Sequence, residues 1–422
     1  MQTGPGETTY TPKLVTLLRG RQHYSLADLR ADLVAGLTVA IVALPLSMAI
    51  AIASGVTPDR GLYAAIAGGF VVSALGGSRF QIGGPAGAFI VLVAATAERF
   101  GVDGVILATL MSGVILLLLG LSRLGGFIRH IPHPVIIGFT AGIAAIIFAS
   151  QLHELFGLSL AGKEPGPLLD KLPALIRAAP TANPAAIGIA LATGTAILLL
   201  RRWKPLWPAF LIAVTLASLA AVAFSLPVET IGTRFGGIPR SLPAPGLPAV
   251  SAQRLVELLP SALSFALLGG IESLLSALVA DGMTGRRHRS NAELVAQGAA
   301  NIASGLFGGI CVTGTIARTA TNVRAGAKGP IAGIAHALFL LLFMLAAAPL
   351  AGYIPLSALA ALLAVVAWNM AERHAFAQLI RERRGEAVVL LATFLLVLLR
   401  DLTEGILAGC GLAFALFLWR KR

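Results

Sequence analysis

Two charged residues sit where charge is expensive. Arg318 follows the stretch CVTGTIA at 311–317, and Glu272 lies within SFALLGGIESLLSALVAD at 264–281, both inside apolar runs. A charge at the centre of a bilayer costs at least ~2.5 to 3.5 kcal/mol, so it normally faces a polar interior rather than lipid. Arg318 is therefore expected to make such an interior attractive to an anion. Glu272 is followed by Ser273 and Ser276 on the same run. A carboxylate with a hydroxyl nearby can hold a proton or Na+, which is the basis for coupling to an ion gradient. A fixed ion pair between Glu272 and Arg318 is the plainer alternative.

Both charges need elements to position them, and two interruptions of the apolar pattern supply candidates: IGGPAGAF at 82–89 and CVTGTIARTA at 311–320. Unpaired backbone in lipid costs several kcal/mol per group, so such breaks survive where they line a cavity. In the first, Pro85 suits the opening turn of a helix, where its missing N–H is no loss. In the second, Thr315 is expected to cap a helix running through Arg318 and Asn322. Two helix N-termini facing each other would present free N–H groups and a positive field to an anion. The alternative is that the glycines only let helices pack closely. Pro45 should kink the first span and free a carbonyl, placing Leu46, Ser47 and Met48 at the border of the site. Ser47 is a candidate ligand, although bonding to its own helix is the commoner fate of a serine. Asn301 and Asn322 read as helix-to-helix contacts and His336 as a packed core residue.

The rest of the chain is membrane-like: 422 residues, 57% hydrophobic and 12% charged, with a mean hydropathy of +0.86. That composition excludes a soluble protein of this size. The formal charge of +13 is read loop by loop, since basic loops mark the cytoplasmic side, and nucleic acid is not an expected partner. Cys311 and Cys410 form no metal or disulfide pattern, and no removable signal peptide is evident. No cofactor is expected beyond a coupling H+ or Na+.

Apolar runs of roughly 15 to 23 residues, against the ~20 that cross a bilayer, number seven over 31–226 and seven over 258–422, with a Pro-rich connector at 227–257. The expected fold is therefore an all-α polytopic membrane protein of fourteen spans behind a cytoplasmic segment at 1–30. Loop charge agrees with alternating spans. Arg19, Arg21 and Arg30; Arg79; Arg123 and Arg129; Arg201, Arg202 and Lys204; Arg286, Arg287 and Arg289; Arg324 and Lys328; Arg373, Arg381, Arg383 and Arg384; and Arg420, Lys421 and Arg422 would all lie inside. The outer loops are poor or balanced in charge, as with Glu154, Lys163, Glu164, Asp170, Lys171 and Arg177. Both termini come out cytoplasmic. Sliding the second half over the first by 232 residues lays Gly76 and Gly77 on Gly308 and Gly309, and Gly83–Ala86 on Thr315–Arg318. An odd number of spans per half makes the repeat inverted, and broken segments at matching places point to a secondary transporter's midplane site.

These residues resemble the sulfate permease (SulP) family of anion transporters. The likeness rests on ADLVAGLTVAIVALPLSMAIAIASGVTPDRGLY at 31–63, GGPAGAF at 83–89, IESLLSALVADGMTGRRHRSNAELVAQGAANIASGLFGG at 271–309 and TGTIARTATNVRAGAKGPIAGI at 313–334. The resemblance implies a seven-plus-seven inverted repeat, with spans 1–4 and 8–11 forming a core that moves as an elevator against a gate of spans 5–7 and 12–14. Spans 3 and 10 would be short half-helices preceded by extended stretches. The anion would sit between their N-termini, at Gly84, Pro85, Ala86 and Gly87 and at Thr315, Ile316, Ala317 and Arg318, with Ser47 at the border. Glu272 and Ser276 resemble the coupling-ion site of sodium-dependent members. Leu46, Ala86 and Ala317 stand where many members carry polar side chains, so the pocket should lean on backbone amides. The family's C-terminal STAS domain is expected to be absent, since the sequence ends at WRKR.

The function expected is ion-coupled symport of a small anion such as fumarate, sulfate or bicarbonate in an inner membrane, by a non-enzymatic carrier. An anion exchanger or channel of the same fold, or a nucleobase permease, are the alternatives, and Arg318 argues against the last. The other partners are the bilayer itself and, as an option, a second copy in a homodimer.

Overall fold

A computed structural model describes residues 10–19, 24–126, 132–160, 162, 168–204, 207–382, 384–400 and 402–420. Arg21, Arg129, Lys163, Glu164, Arg383, Lys421 and Arg422, counted above among the loop charges, lie outside the described residues. In chain order the helices are α1 (Lys13–Arg19), α2 (Leu26–Ala53), α3 (Pro58–Tyr63), α4 (Gly69–Leu75), α5 (Ile90–Leu121), α6 (His133–Phe156), α7 (Leu168–Ala178), α8 (Pro184–Trp203) and α9 (Ala209–Ala223). They continue with α10 (Ile231–Phe235), α11 (Ala252–Thr284), α12 (Ser290–Leu306), α13 (Ile316–Arg324), α14 (Ile331–Ala351), α15 (Leu356–Met370), α16 (Arg373–Glu382), α17 (Arg384–Leu399) and α18 (Leu402–Arg420). Two strands complete the set, β1 (Gly83–Gly84) and β2 (Thr313–Gly314).

Among the described residues, seven helices are long and apolar enough to cross a membrane, three shorter apolar ones accompany them, and large hydrophobic side chains such as Leu191, Val222, Leu342 and Phe414 are exposed. Apolar surface on that scale is stable only against lipid or a partner. Within α5 the helix is broken at Gly101, where φ 71° and ψ −178° are not helical, so the expected third and fourth spans lie on the two helical pieces either side of it. The expected second span is assembled from α3, a five-residue π segment at Ala64–Gly68, and α4. Pro45 sits inside α2, whose 28 residues run on through it.

The chain resolves into two compact units. The first contains residues 1–129, 206–212 and 231–353, and the second 130–205, 213–230 and 354–422. In the first unit α12 packs on α5 and α14 on α2. Small residues make the second contact close, with Ala35 and Ala332 fully buried in one apolar cluster with Phe80, Ala280 and Ala327. Asp32, near the start of α2, accepts from Tyr24 Oη and from the backbone N–H groups of Lys328 and Gly329, pinning the turn before α14. In the second unit α6 packs against α15 and α17, α15 against α8, and α17 against α18. Ile189, Ala217 and Ala358 form its small apolar centre. Thr230 bridges Pro355 as an isolated pair.

The two breaks meet in the first unit. β1 and β2 pair antiparallel, Gly83 opposite Gly314 and Gly84 opposite Thr313. A two-residue ladder is too short to persist alone. Side chains therefore satisfy the remaining backbone groups, as apolar surroundings require. Asn301 of α12 clamps Val312 from both sides, Nδ2 donating to its carbonyl at 2.8 Å and Oδ1 accepting from its N–H at 2.9 Å. Thr319 Oγ1 accepts from Ile82 N–H at 3.1 Å, and Asn322 Nδ2 donates to Phe80 O at 2.9 Å. Thr313 Oγ1 donates to Gly269 O of α11 at 2.9 Å. Asn301 and Asn322, expected as helix-to-helix contacts, instead bond the extended backbone beside the strands.

Candidate functional site

Each strand leads into a helix. After β1 the chain stays extended through Pro85 and Ala86, makes a 3-10 turn at Gly87–Phe89 and enters α5. Its first closing bond is Phe89 N–H to Ala86 O, so the N–H groups of Gly87 and Ala88 have no partner within the turn. After β2, Thr315 occupies the N-cap position of α13, and the first helical bond is Thr319 N–H to Thr315 O. The N–H groups of Ile316, Ala317 and Arg318 are thus left over by the helix. Two local expectations change. Pro85 lies in extended chain ahead of the helix instead of in its first turn. Thr315 makes no side-chain cap: its own N–H donates to Ile82 O at 3.0 Å, which draws its hydroxyl toward β1 as well.

Arg318 is 2% exposed and is the largest fully buried side chain of the described residues. Its Nη2 donates to Ser47 Oγ and to Pro85 O, each at 3.2 Å, while Nε and Nη1 have no hydrogen-bond acceptor. Ser47 of α2 is fully buried and accepts this bond from the arginine. A buried guanidinium with two open donors is an unfinished arrangement, because desolvated charge is tolerable only when paired and hydrogen-bonded. Gly84 makes room for it. A Cβ at that position would overlap Arg318 Nη1. Gly314, which lies opposite Gly83, faces a similar limit from Gln81, whose Nε2 fills the space a Cβ would take.

α11 lies along the back of the paired strands. Gly269 accepts from Thr313, Ser273 accepts from Gln81 Nε2 through its carbonyl and hydroxyl at 2.9 and 3.0 Å, and Ser276 Oγ donates to Thr319 Oγ1 at 3.0 Å. Glu272 falls within this span and is 8% exposed. Ser276 is committed to Thr319 here, so it contributes to the frame behind the strands. Ala317 is exposed and Gly87 and Ile316 are half-buried, which marks the side on which the arrangement opens. Ala86 and Pro85 are buried beside it.

Three participants were not singled out as site residues from the sequence. Thr319, Gln81 and Ser273 are each at most 3% exposed and carry the strand-to-helix bonds just described. A signal exists for the first: Thr315, Thr319 and Asn322 stand four and three residues apart, on one face of a helix. His336 of α14 is fully buried with both ring nitrogens unpartnered, and its Cε1 lies 4.0 Å from the point a Gly69 Cβ would occupy. Among the described residues no three His, Cys, Asp or Glu side chains are grouped as metal ligands would be.

Comparison with known proteins places this geometry. Residues 29–393 match the sulfate permease family. YvdB of Bacillus subtilis, named as a candidate sulfate transporter, is 43% identical over 398 residues, which cover 94% of this chain and 75% of that protein. The bicarbonate transporter BicA of a Picosynechococcus strain is 30% identical over 409 residues, covering 93% of this chain and 71% of its own. Among solved structures, the transmembrane domain of a cyanobacterial BicA superposes with a TM-score of 0.82 at 31% identity, over 90% of this chain and 98% of that domain. Murine Slc26a9, an anion transporter solved in its inward-facing state, shares the fold with a TM-score of 0.87 at 20% identity, over 97% of this chain and 71% of that one. The named relatives are transporters and none is an enzyme. The matched region spans most of the chain and includes both paired breaks and Arg318, and the protein belongs to the sulfate permease family.

Proposed function

We propose that this protein is a secondary active transporter of a small anion, carried between the two helix N-termini that follow β1 and β2. The observation that supports this most strongly is Arg318, buried with two donors open beside the leftover N–H groups of Gly87, Ala88, Ile316 and Ala317. Backbone donors at helix starts and a guanidinium fork together suit an oxyanion. Sulfate and bicarbonate, which the relatives' names mention, and a dicarboxylate such as fumarate are the substrates to test.

In this reading the fourteen crossings form an inverted repeat, the first unit is the core carrying the site, the second is the gate, and transport proceeds by elevator movement of the core. Glu272, with Ser276, would take up the coupling proton or sodium ion. The protein would reside in the inner membrane with both termini in the cytoplasm. The test is uptake of radiolabelled sulfate, bicarbonate, chloride and fumarate into proteoliposomes under separate proton and sodium gradients. Saturable, gradient-driven accumulation of one anion supports symport. Exchange without accumulation would replace symport with the antiporter alternative, and no flux of any anion would defeat the proposal.

A further inference from the structure

Three segments distant in sequence converge at one end of the first unit. Lys13, which opens α1, donates from its backbone to Gly76 O and from Nζ to Arg287 O, each at 3.0 Å. Arg289 donates from its backbone to Gly77 O at 3.0 Å, and its Nη1 reaches back to Thr11 O at 2.7 Å and Thr16 Oγ1 at 3.2 Å. Arg79 stands two residues beyond Gly77, on the segment that both of these backbone bonds hold. Its guanidinium is pushed below the ordinary arginine range by burial and by the charges of Arg286 and Arg289. Lys13 is brought down to about 8, first by burial and then by Arg289 and Arg79, with Arg286 adding to the repulsion.

Anionic groups nearby do not cancel this. Asp281 is the carboxylate that acts on Lys13 in the favourable sense. Its Oδ2 already accepts twice from His288, from the backbone N–H at 3.0 Å and from Nδ1 at 2.6 Å. The buried Glu293 beneath the turn is likewise occupied, with Oε2 accepting from Gly77 N–H and Ser78 N–H. Arg289 Nε is buried without an acceptor. Lys13 and Arg289 are held by these bonds to the segments that carry Arg79 and Arg286, and the four cations, with a donor left open on Arg289, form the electrostatic counterpart of a polyanion.

We infer that Lys13, Arg79, Arg286 and Arg289 form a second anion site, separate from the paired strands, which binds a phosphate group. A phosphate-bearing ligand would be shared between α1, the turn after α4 and the α11–α12 turn, and so would hold the N-terminal helix against the body of the unit. The phosphate could come from an anionic phospholipid headgroup, given the polybasic attraction of such lipids, or from a soluble phosphate compound. Charge and geometry here do not depend on what the strand site carries.

The test compares purified wild-type protein with Arg79→Gln/Arg286→Gln, two side chains that make no hydrogen bond described above. A control, Arg201→Gln/Arg202→Gln, removes the same charge from the end of α8. Binding of phosphatidylglycerol in otherwise phosphatidylcholine nanodiscs, and of soluble pyrophosphate, is titrated for all three. The expected result is at least about tenfold weaker binding in the first variant and near wild-type binding in the control, in one arm or both. Lipid binding alone identifies the headgroup as the source, and equal pyrophosphate binding identifies a soluble phosphate. Wild-type binding in neither arm, equal weakening in both variants, or no weakening in the first would each overturn the assignment.

Discussion

At the scale of residues, the central feature is an arginine that the fold buries without finishing its hydrogen bonds. Charge-assisted hydrogen bonds contribute about 1.5 to 3 kcal/mol each, and 1.4 kcal/mol is tenfold in affinity. Gly84→Ala should act through Arg318, because the new methyl group competes with Nη1 for one volume. The expected outcome is a folded protein, destabilised by about 1 to 3 kcal/mol as overpacked cores are, with uptake reduced at least tenfold. Uptake equal to wild type would show that the guanidinium position does not matter. Arg318 and Glu272 were legible in the sequence because charge inside an apolar run stands out. Ser47 was legible only in part. Its neighbourhood to Pro45 marked it, but its bond to Arg318 crosses 271 positions and depends on where α2 and α13 meet.

At the scale of elements, glycines and prolines mark the two breaks in the amino-acid pattern itself, and their pairing as β1 and β2 follows from the need to satisfy backbone in an apolar setting. The supports of that pairing were harder to read. Thr319, Gln81 and Asn301 look like ordinary polar residues in the sequence, and each matters through a partner on another element. Thr319→Val tests the point. It leaves Ile82 N–H and Ser276 Oγ without their partner, at about 1 to 3 kcal/mol for each buried unsatisfied group. The thermal midpoint in detergent should fall measurably, and an unchanged midpoint would mean that Thr319 is incidental. The docking of α1 carries a pH signature. Lys13 titrates near 8 when docked and near the ordinary 10.5 when released. The docked form then binds fewer protons between those values, so docking tightens as pH rises from about 8 to about 10.5 and is constant below. Tryptic release of the N-terminal segment, corrected for the enzyme's own pH profile, should slow across that window. Faster release there would contradict the assignment.

At the scale of the whole molecule, membership of the sulfate permease family and the division into two compact units account for how the chain is organised. The membrane character, the helical class and the family were readable from composition and four motifs. Helix boundaries were less so, because a π segment at Ala64–Gly68 divides one expected span between α3 and α4. Coupling is the property that involves the entire transport cycle, and it is assigned to Glu272. In proteoliposomes, Glu272→Gln should abolish accumulation against a gradient while leaving downhill exchange of the same anion measurable. Full accumulation under both proton and sodium gradients would remove Glu272 from coupling. The most direct test of the account is equilibrium binding of the transported anion to purified wild-type protein and to Arg318→Ala. Binding roughly 10- to 100-fold weaker in the variant is the predicted result, from the loss of one to two charge-assisted bonds. Wild-type affinity in Arg318→Ala would contradict it.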